Sequence, residues 1–354
     1  MGGNRRLQGF MSKAGKGGKI DGSSRQESAT GGARLRASRR DFERHLLGWF
    51  DHNQRDLPWR RDRDPYHVWL SEIMLQQTRV AAVVEHYHRF LERFPSLETL
   101  ARARVSSVLA AWSGLGYYRR ARSLHAAARE IVHRRQGRFP TTHAELEALP
   151  GIGRYTAAAI SSIAFGEAVA AVDGNAERVL QRVLGRSMGG NALWHAAAEL
   201  LSPGRPGDFN QAMMELGATL CLPREPKCYS CPIRGLCRAQ GELEPSPPAA
   251  RRRAKQALDY ALDCRQDSVF LVRRAQEATL MPGMWELPQI PAGNGSTEAR
   301  FSLRHSITST DYLVRVARVQ LPPQTEGCWF KTSRVKRLPL TGLARKILRQ
   351  ANLI

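Results

Sequence analysis

Four of the six cysteines in this chain of 354 residues stand within one run of seventeen residues, and this cluster restricts the possible folds more than any other feature. The spacing is Cys-x6-Cys-x2-Cys-x5-Cys. Thiolates are soft ligands for zinc and for iron-sulfur clusters, so this crowding indicates a bound metal. Common zinc sites place two short cysteine pairs on either side of a longer loop, whereas here one short pair lies between two longer arms, which favours an iron-sulfur cluster. The cysteines are Cys221, Cys228, Cys231 and Cys237.

The length of the chain and a change of composition near residue 241 predict two folded domains. A single hydrophobic core rarely grows beyond about 250 to 300 residues. From residue 41 to residue 240, apolar residues recur at spacings of three and four, which predicts an all-α domain. Residues 241–257 are rich in proline and arginine and have no apolar period, so they are typical of a linker. Short runs rich in valine, leucine and tyrosine, followed by an amphipathic segment, predict a small α+β domain at 258–354.

The charge balance favours a polyanionic partner. The 54 lysines and arginines outnumber the 32 acidic residues, which gives a formal net charge of +22 and indicates binding to nucleic acid. Residues 1–40 hold ten basic residues, two acidic residues and nine glycines, so they predict a disordered basic arm. This arm could be an over-extended start, a DNA tether or a transit segment. No stretch approaches the roughly 18 apolar residues of a membrane span, so no membrane partner is expected.

A Pro-Gly-x-Gly turn joins two helical patterns in the segment ELEALPGIGRYTAAAI. Gly151 and Gly153 permit a tight turn. The backbone N–H groups of the helix that begins near Arg154 can bind a phosphate oxygen. About twenty residues later, Asp173 can cap the helix that follows Gly174. Each signal alone is common, because glycine turns and aspartate caps occur in many helical proteins.

The turn, the aspartate and the four cysteines, in this order, resemble the helix-hairpin-helix DNA glycosylase superfamily, and most closely its iron-sulfur branch of MutY-type adenine DNA glycosylases. The resemblance implies an all-α helix-hairpin-helix glycosylase domain at 41–240 with a 4Fe-4S cluster loop at 221–237. It also implies a Nudix-like lesion-recognition domain at 258–354. The matching motifs are LPWR at 57–60, PYHVWLSEIMLQQTRV at 65–80, GLGYYRRAR at 114–122, LPGIGRYTAAAI at 149–160, VDGNAERV at 172–179 and FNQAMMELG at 209–217.

The resemblance also implies a pair of catalytic carboxyl groups. Glu72 is similar to the general acid that protonates adenine, and Asp173 to the carboxylate that stabilises the sugar cation. Excision needs both, because adenine leaves poorly until it is protonated and an oxocarbenium-like sugar remains. Tyr155 and Asn175 are similar to residues that position this pair. From the residues alone, Glu72 could be an exposed helical acid and Asp173 an ordinary helix cap.

Other positions match residues of the family that contact DNA. A base must leave the stacked duplex before it can react, and a side chain fills the gap that it leaves. Gln77 and Tyr117 match these intercalating residues, although both also suit ordinary helix packing. The turn of Gly151, Gly153 and Arg154 matches the part that binds the DNA backbone. The wall of the adenine pocket is matched by Leu57, Trp59, Arg60 and Gln211.

Two differences between family members bear on the reaction. Relatives of the endonuclease III type carry a nucleophilic lysine at the position of Tyr155, and tyrosine cannot form the Schiff base that strand cleavage needs. In the C-terminal domain, a Phe-Ser-His recognition triplet of the family appears here as Ile307, Thr308 and Ser309. Thr308 or Ser309 could still bind the lesion by a hydrogen bond.

The sequence therefore predicts a monofunctional enzyme that removes adenine mispaired with 8-oxoguanine or guanine in double-stranded DNA. We expect a monomer, located in a bacterial cytoplasm with the nucleoid, or in the nucleus or mitochondrion of a eukaryote. Two alternatives remain open at this point. One is a bifunctional endonuclease III-like glycosylase and lyase for pyrimidine lesions, and the other is a non-catalytic iron-sulfur protein that binds DNA.

Overall fold

The computed structural model of the chain describes residues 39–240, 253–291, 299–307 and 309–354. Most of the predicted basic arm, the linker up to residue 252, and Thr308 lie outside the described residues. Among those described, no helix combines the length and the apolar composition that a bilayer-spanning helix requires.

The first described part of the chain is helical, as its three- and four-residue apolar spacing predicts. Short 3-10 helices lie at Pro58–Arg60, Cys228–Ser230 and Arg234–Leu236. The α-helices are α1 (39–53), α2 (Pro65–Leu75), α3 (Val80–Arg93), α4 (Leu97–Arg102), α5 (Val105–Ala111), α6 (Arg119–Arg134), α7 (His143–Glu147), α8 (Arg154–Phe165), α9 (Gly174–Leu184), α10 (Gly190–Leu200) and α11 (Pro206–Thr219).

Two apolar clusters fill this helical part. The first gathers buried residues of α2, α3, α5, α6 and α8, with Trp69 and Trp112 fully buried. The second gathers residues of α1, α9, α10 and α11, together with Ile233 from the cysteine segment. Helices α8 and α11 meet closely at Gly207, where a Cβ atom would stand 2.6 Å from the carbonyl oxygen of Ser162. The first cluster, through α8, and the second cluster, through α11, therefore meet along one line of contact.

The second described part contains strands and two helices. The strands are β1 (Ala254–Ala261), β2 (Cys264–Arg265), β3 (Ser268–Arg273), β4 (Trp285–Glu286), β5 (Gln289–Ile290), β6 (Ala299–Ile307), β7 (Thr310–Ala317) and β8 (Cys328–Lys331), and the helices are α12 (Thr332–Val335) and α13 (Gly342–Gln350). One sheet has the order β5-β1-β7-β6, with β1 parallel to β7, and the other joins β2, β3 and β4, with β8 paired to β3. Strand β1 begins inside the segment predicted as linker, because Lys255 and Gln256 pair with β7 although their side chains are exposed.

The strand-containing part packs directly against the helical part. Met284 is fully buried within the first helical cluster. Two residues earlier in the chain, the carbonyl oxygen of Pro282 accepts a 2.5 Å hydrogen bond from the guanidinium group of Arg122 on α6. The hydroxyl of Tyr118 donates to the carbonyl oxygen of Leu340 at 3.0 Å. These contacts join the two parts near the beginning of α6.

Candidate active site

A cavity of about 330 Å³ lies at the seam between α2, α8, α9 and α11. It brings together predicted residues that are up to 154 positions apart in the sequence. Both carboxyl groups, both proposed positioning residues and the whole predicted adenine pocket line it. Tyr117 and the Pro-Gly-x-Gly turn do not. The predicted residues in its wall are Leu57, Trp59, Arg60, Glu72, Gln77, Tyr155, Asp173, Asn175 and Gln211.

Glu72 occupies an apolar and nearly closed position on α2. Only 8% of the residue is exposed. Burial raises the pKa of the Glu72 carboxyl to about 7, and the negative charge of Asp173 adds to the rise. The hydroxyl of Tyr155 and the charge of Arg60 act in the opposite direction, but burial outweighs them. Glu72 is therefore partly protonated at neutral pH, so the residue is able to donate a proton.

Tyr155 stands in the first turn of α8 and holds Glu72 from the opposite wall. Its hydroxyl donates to Oε2 of Glu72 at 2.8 Å and lies 3.1 Å from the sulfur of Met214. Burial and the charge of Glu72 raise the pKa of this phenol well above its ordinary value, so Tyr155 remains a hydrogen-bond donor.

Asp173 is both a helix cap and a member of the site. Its Oδ1 atom accepts from the backbone N–H groups of Asn175 at 3.0 Å and Ala176 at 2.7 Å, which caps α9. Its Oδ2 atom accepts from the side-chain amide of Asn175 at 2.9 Å. Helices α9 and α11 pack closely where Asn175 meets Gly217. Only glycine fits at residue 217, because a Cβ atom there would stand 2.6 Å from the Cβ of Asn175. The three N–H donors hold the Asp173 side chain in place beside the cavity.

A buried ion pair in the wall of the cavity was not predicted. Glu215 on α11 has a fully buried side chain and accepts from Arg55 at 2.6 Å and from Arg60 at 2.9 Å. Burial alone would raise the pKa of Glu215, but hydrogen bonds and charge from the two arginines hold it below its ordinary value. The pair fixes Arg60 beside the pocket. The available sequence signal was a charged residue inside the apolar pattern of FNQAMMELG.

Arg120 was also missed, and it connects the two predicted intercalating residues. Its guanidinium group donates to the carbonyl oxygens of Ile73, Met74 and Gln76 at the end of α2. The same group lies 5.4 Å from the centre of the Tyr117 ring. Burial lowers the pKa of Arg120 to about 10, so it keeps its charge at neutral pH. Arg120 thus braces the segment that leads into Gln77.

Gln77 and Tyr117 share an unusual backbone conformation. Their φ angles are +55° and +47°, in the left-handed region that residues other than glycine seldom adopt. Such strain persists where the surrounding structure enforces it, and it is frequent at functional positions. Tyr117 is also 49% exposed, so its ring is available to a partner.

The Pro-Gly-x-Gly turn has the expected shape. Gly151 has φ +77°, and a Cβ atom there would stand 2.3 Å from the Cβ of Ser123, so only glycine fits. Gly153 precedes the first turn of α8 in extended conformation and has open space around it. The guanidinium group of Arg154 lies 4.1 Å from the centre of the Trp194 ring.

The four clustered cysteines line one cavity, whose apolar wall includes Val179 and Ile233. Arg182 donates to the sulfur of Cys221 at 3.2 Å, and Arg178 donates to the carbonyl oxygen of the same cysteine at 2.8 Å. Within the described ranges, no group of three or more His, Cys, Asp or Glu side chains is arranged to hold a metal ion. Four soft thiols around a shared cavity nevertheless fit an iron-sulfur cluster by their chemistry.

The predicted recognition triplet lies at the turn between β6 and β7. Ile307 pairs with Thr310 across the turn, and Thr308 is outside the described residues. Ser309 is exposed, and its carbonyl oxygen accepts from the backbone N–H of Ala254 at 3.0 Å. Of the triplet, the described residues Ile307 and Ser309 do not line the cavity that holds the carboxyl groups.

Comparisons with known proteins identify the family of the chain. The family model "HhH-GPD superfamily base excision DNA repair protein" matches residues 70–191, a range that includes Glu72, Tyr155 and Asp173. The chain is similar to the adenine DNA glycosylase of Rattus norvegicus, with 48% identity over 228 residues, which cover 58% of this chain and 44% of that relative. It is also similar to the adenine DNA glycosylase of Schizosaccharomyces pombe, with 33% identity over 324 residues, which cover 72% of this chain and 70% of that relative.

A solved structure shows the same helical fold. The thermostable thymine-DNA glycosylase superimposes with a TM-score of 0.55 and 32% identity, covering 59% of this chain and 99% of that one. The chain spans less than half the length of the mammalian relatives that it matches. The predicted helical glycosylase fold, followed by a sheet-containing region, is confirmed. The chain therefore belongs to the adenine DNA glycosylase family within the HhH-GPD superfamily of base excision DNA repair proteins.

Proposed function

We propose that the chain is a monofunctional DNA glycosylase that hydrolyses the N-glycosidic bond of adenine mispaired with 8-oxoguanine or guanine in double-stranded DNA. One observation carries the proposal: Glu72 and Asp173 line the same cavity in opposite environments. The first is enclosed and has a pKa near 7, and the second is surrounded by N–H donors. Such a division suits a general acid and an anionic stabiliser.

The chemistry follows from these two environments. Glu72 donates its proton to a ring nitrogen of adenine, and the bonding electrons of the N-glycosidic bond leave with the base. The sugar becomes an oxocarbenium-like cation, which the carboxylate of Asp173 stabilises until water adds to the anomeric carbon. The water loses a proton to a carboxylate of the pair, so the products are free adenine and an abasic site. Tyr155 keeps Glu72 aimed into the cavity.

The side chain at residue 155 separates this proposal from an endonuclease III-like lyase. Strand cleavage by such enzymes proceeds through a Schiff base between an amine and the sugar. Tyr155 has no amine, and among the residues that the structure describes no lysine lines the cavity. A borohydride-trapped covalent adduct with a thymine-glycol duplex would contradict the monofunctional proposal.

We propose that a monomer binds DNA through the helical domain. The charge of +22 supports attraction to the phosphate backbone. The turn of Gly151, Gly153 and Arg154 presents backbone N–H groups at the start of α8, while Gln77 and Tyr117 fill the gap left by the extruded adenine. An enzyme that repairs genomic DNA would work in the bacterial cytoplasm with the nucleoid, or in the nucleus or mitochondrion of a eukaryote.

We propose that Cys221, Cys228, Cys231 and Cys237 hold a 4Fe-4S cluster. Its role in this proposal is structural: the cluster orders the loop and its basic residues. About four iron atoms and four sulfide ions per chain, with a broad absorption band in visible light, are expected from purified protein. One zinc ion per chain without sulfide would refute the cluster.

We also propose that residues 258–354 form a Nudix-like domain that recognises the base opposite adenine. The Trp-containing segment LMPGMWELPQ at 280–289 supports this assignment. The triplet of Ile307, Thr308 and Ser309 lacks an aromatic ring and a histidine. Recognition by this turn therefore depends on hydroxyl groups and backbone atoms.

An excision assay tests the whole proposal. Excess protein is incubated with a duplex that contains one adenine opposite 8-oxoguanine, and alkali then cleaves each abasic site. Wild-type protein and the control variant Glu85→Gln, whose side chain on α3 is 74% exposed, are expected to yield cleaved strand. Glu72→Gln is expected to bind the duplex, but its excision rate should be lower by a factor of about 10² to 10⁴.

Two outcomes of this assay would contradict the proposal. Intact strands with the wild-type protein, together with normal duplex binding, would favour the non-catalytic alternative. A Glu72→Gln variant as active as Glu85→Gln would remove the general acid from the mechanism.

A further inference from the structure

Helix α13 bonds to the segment that carries Tyr117. The carbonyl oxygen of Leu340, just before the helix, accepts from Tyr118 at 3.0 Å and from the hydroxyl of Ser113 at 3.2 Å. Arg345 on α13 donates from Nε to the same Ser113 hydroxyl at 2.9 Å. One hydrogen bond from α13 itself, and two to Leu340 just before the helix, therefore connect this region to residues on both sides of the Tyr117 turn.

The same helix also holds the hairpin of β6 and β7. Lys346, next to Arg345, donates from Nζ to the carbonyl oxygen of Arg304 on β6 at 2.7 Å. The ring of His305 lies against the start of the helix, 4.0 Å from where a Cβ atom of Gly342 would stand. The hairpin that ends in the Ile307 turn is thus fixed to α13 by contacts close to those that reach Ser113.

Burial protects the part of this connection that reaches Ser113 and Tyr118, whereas the bond from Lys346 to β6 is exposed to solvent. Ser113 is 7% exposed and Tyr118 is 4% exposed, so their hydrogen bonds are not replaced by water. Leu343 and Ile347 anchor the helix in the core of the second domain. The hydroxyl of Thr341, itself fully buried, caps the helix by accepting from the N–H of Ala344 at 3.1 Å.

We propose that α13 couples lesion recognition to base extrusion, with Tyr118 and Arg345 as positioning residues. This inference rests on the proposed function. The turn at Ile307 would read the base opposite adenine, and Tyr117 would enter the gap in the stack. Binding energy gained where the turn contacts the base opposite adenine can drive extrusion of the adenine only if the turn and Tyr117 are held in a fixed relation. Helix α13 supplies this relation, because Tyr118 directly follows Tyr117.

The test compares two duplexes, with adenine opposite 8-oxoguanine and with adenine opposite guanine. Single-turnover excision rates are measured for the wild type, for the double variant Tyr118→Phe with Arg345→Met, and for the control Arg349→Met. Arg349 is an exposed residue on the same helix. The double variant removes two donors but keeps the bulk of both side chains. We expect the ratio of the two rates to fall about tenfold in it, through a slower reaction opposite 8-oxoguanine, and to stay constant in the control.

Base extrusion is followed independently with a fluorescent 2-aminopurine in place of the target adenine. The double variant is expected to lose the extra fluorescence that 8-oxoguanine produces over guanine. Arg345→Lys, which keeps a donor, should restore part of both signals. The single variant Ser113→Ala provides the same comparison if the double variant does not fold, which circular dichroism and the melting temperature will show.

The outcomes separate this inference from the proposed function. An unchanged rate ratio in a folded double variant would overturn the coupling while leaving adenine excision intact. Equal slowing on both duplexes would also overturn it, because a merely structural role has that effect. A wild-type protein that excises adenine from neither duplex would overturn the proposed function, and the coupling with it.

Discussion

At the scale of single residues, the site depends on how many donors each carboxyl group receives. Glu72 is enclosed and accepts from one phenol, whereas Asp173 accepts from two backbone N–H groups and one side-chain amide. A buried carboxyl with few donors favours its neutral form, in agreement with the raised pKa of Glu72. The two carboxyl groups therefore line one cavity with different hydrogen-bond surroundings.

The residues of the cavity were predictable to different degrees. The resemblance to the glycosylase family implied Glu72 and Asp173 as a pair, and both line the same cavity. Glu215, Arg55 and Arg120 could not be assigned in the same way, because their roles depend on partners far away in the sequence. The bond between Arg55 and Glu215, for example, spans 160 positions.

The first prediction concerns the pH dependence of excision. Glu72 must be protonated to act, so the rate should fall as the pH rises through about 7. Tyr155→Phe removes a donor that stabilises the charged form of Glu72, and therefore raises the pKa of Glu72 further. The alkaline limb should move upward by about one pH unit while the maximal rate falls about tenfold. Single-turnover rates across the neutral and alkaline range measure both effects.

Tyr229→Phe is the matched control, since this tyrosine is 91% exposed and is not among the residues that line the cavity. It should leave the pH profile unchanged. An alkaline limb that moves downward in Tyr155→Phe would mean that the phenol does not stabilise the carboxylate.

The second prediction concerns stability. The pKa of Glu72 rises from 4.5 to about 7 on folding, so between these values the folded protein binds more protons than the unfolded chain. Its free energy of unfolding therefore falls as the pH rises through this window, by up to about 3 kcal/mol from this group. Glutamine does not titrate. Relative to wild type, Glu72→Gln should become progressively more stable from about pH 4.5 to about pH 8 in urea unfolding.

Glu85→Gln, with its exposed side chain, should show no such trend. A stability difference between Glu72→Gln and wild type that stays constant across the window would mean that Glu72 titrates normally.

At the scale of elements, Arg120 joins α6 to the C-terminal end of α2. The last carbonyl groups of a helix lack partners within it, and here one guanidinium group on α6 satisfies several of them. The sequence predicted both helices from their apolar periods. It did not predict the left-handed backbone at Gln77 and Tyr117, because that conformation comes from contacts between the elements and not from residue type.

The third prediction tests this junction. Arg120→Met leaves buried carbonyl oxygens without donors and should lower the free energy of unfolding by about 2 to 4 kcal/mol. Arg120→Lys should recover little, because one ammonium group cannot reproduce the planar fork of donors. Both variants should reduce the extrusion of 2-aminopurine, since Gln77 and Tyr117 lose their common brace. The measurements are urea unfolding and duplex fluorescence.

Arg119→Lys, at an exposed neighbouring position on α6, serves as the control and should behave as wild type. Normal extrusion in a folded Arg120→Met protein would show that the strained turns hold their shape without the arginine.

At the scale of the whole molecule, the sheet-containing part packs partly into the core of the helical part. Its α+β character followed from short strand-like runs and one amphipathic helix. The parallel pairing of β1 with β7 could not be predicted from the sequence. It joins residues such as Ala254 and Thr310 across a long stretch of chain, and the paired side chains are partly exposed. The burial of Met284 in the helical core also had no local signal, since the residue belongs to a segment of the other domain.

The fourth prediction uses this shared core. Met284→Ala should cost about 2 to 4 kcal/mol of stability, because it leaves a cavity in a closely packed cluster. Leu280→Ala on the same segment is the control, and since Leu280 is already 39% exposed it should cost much less. If Met284 joins the two domains, the loss must appear on both sides of the contact. Amide hydrogen exchange should therefore become faster in α6, where Arg122 binds the Pro282 carbonyl, as well as around residue 284. Faster exchange confined to residues 253–291 would mean that the domains are stabilised separately.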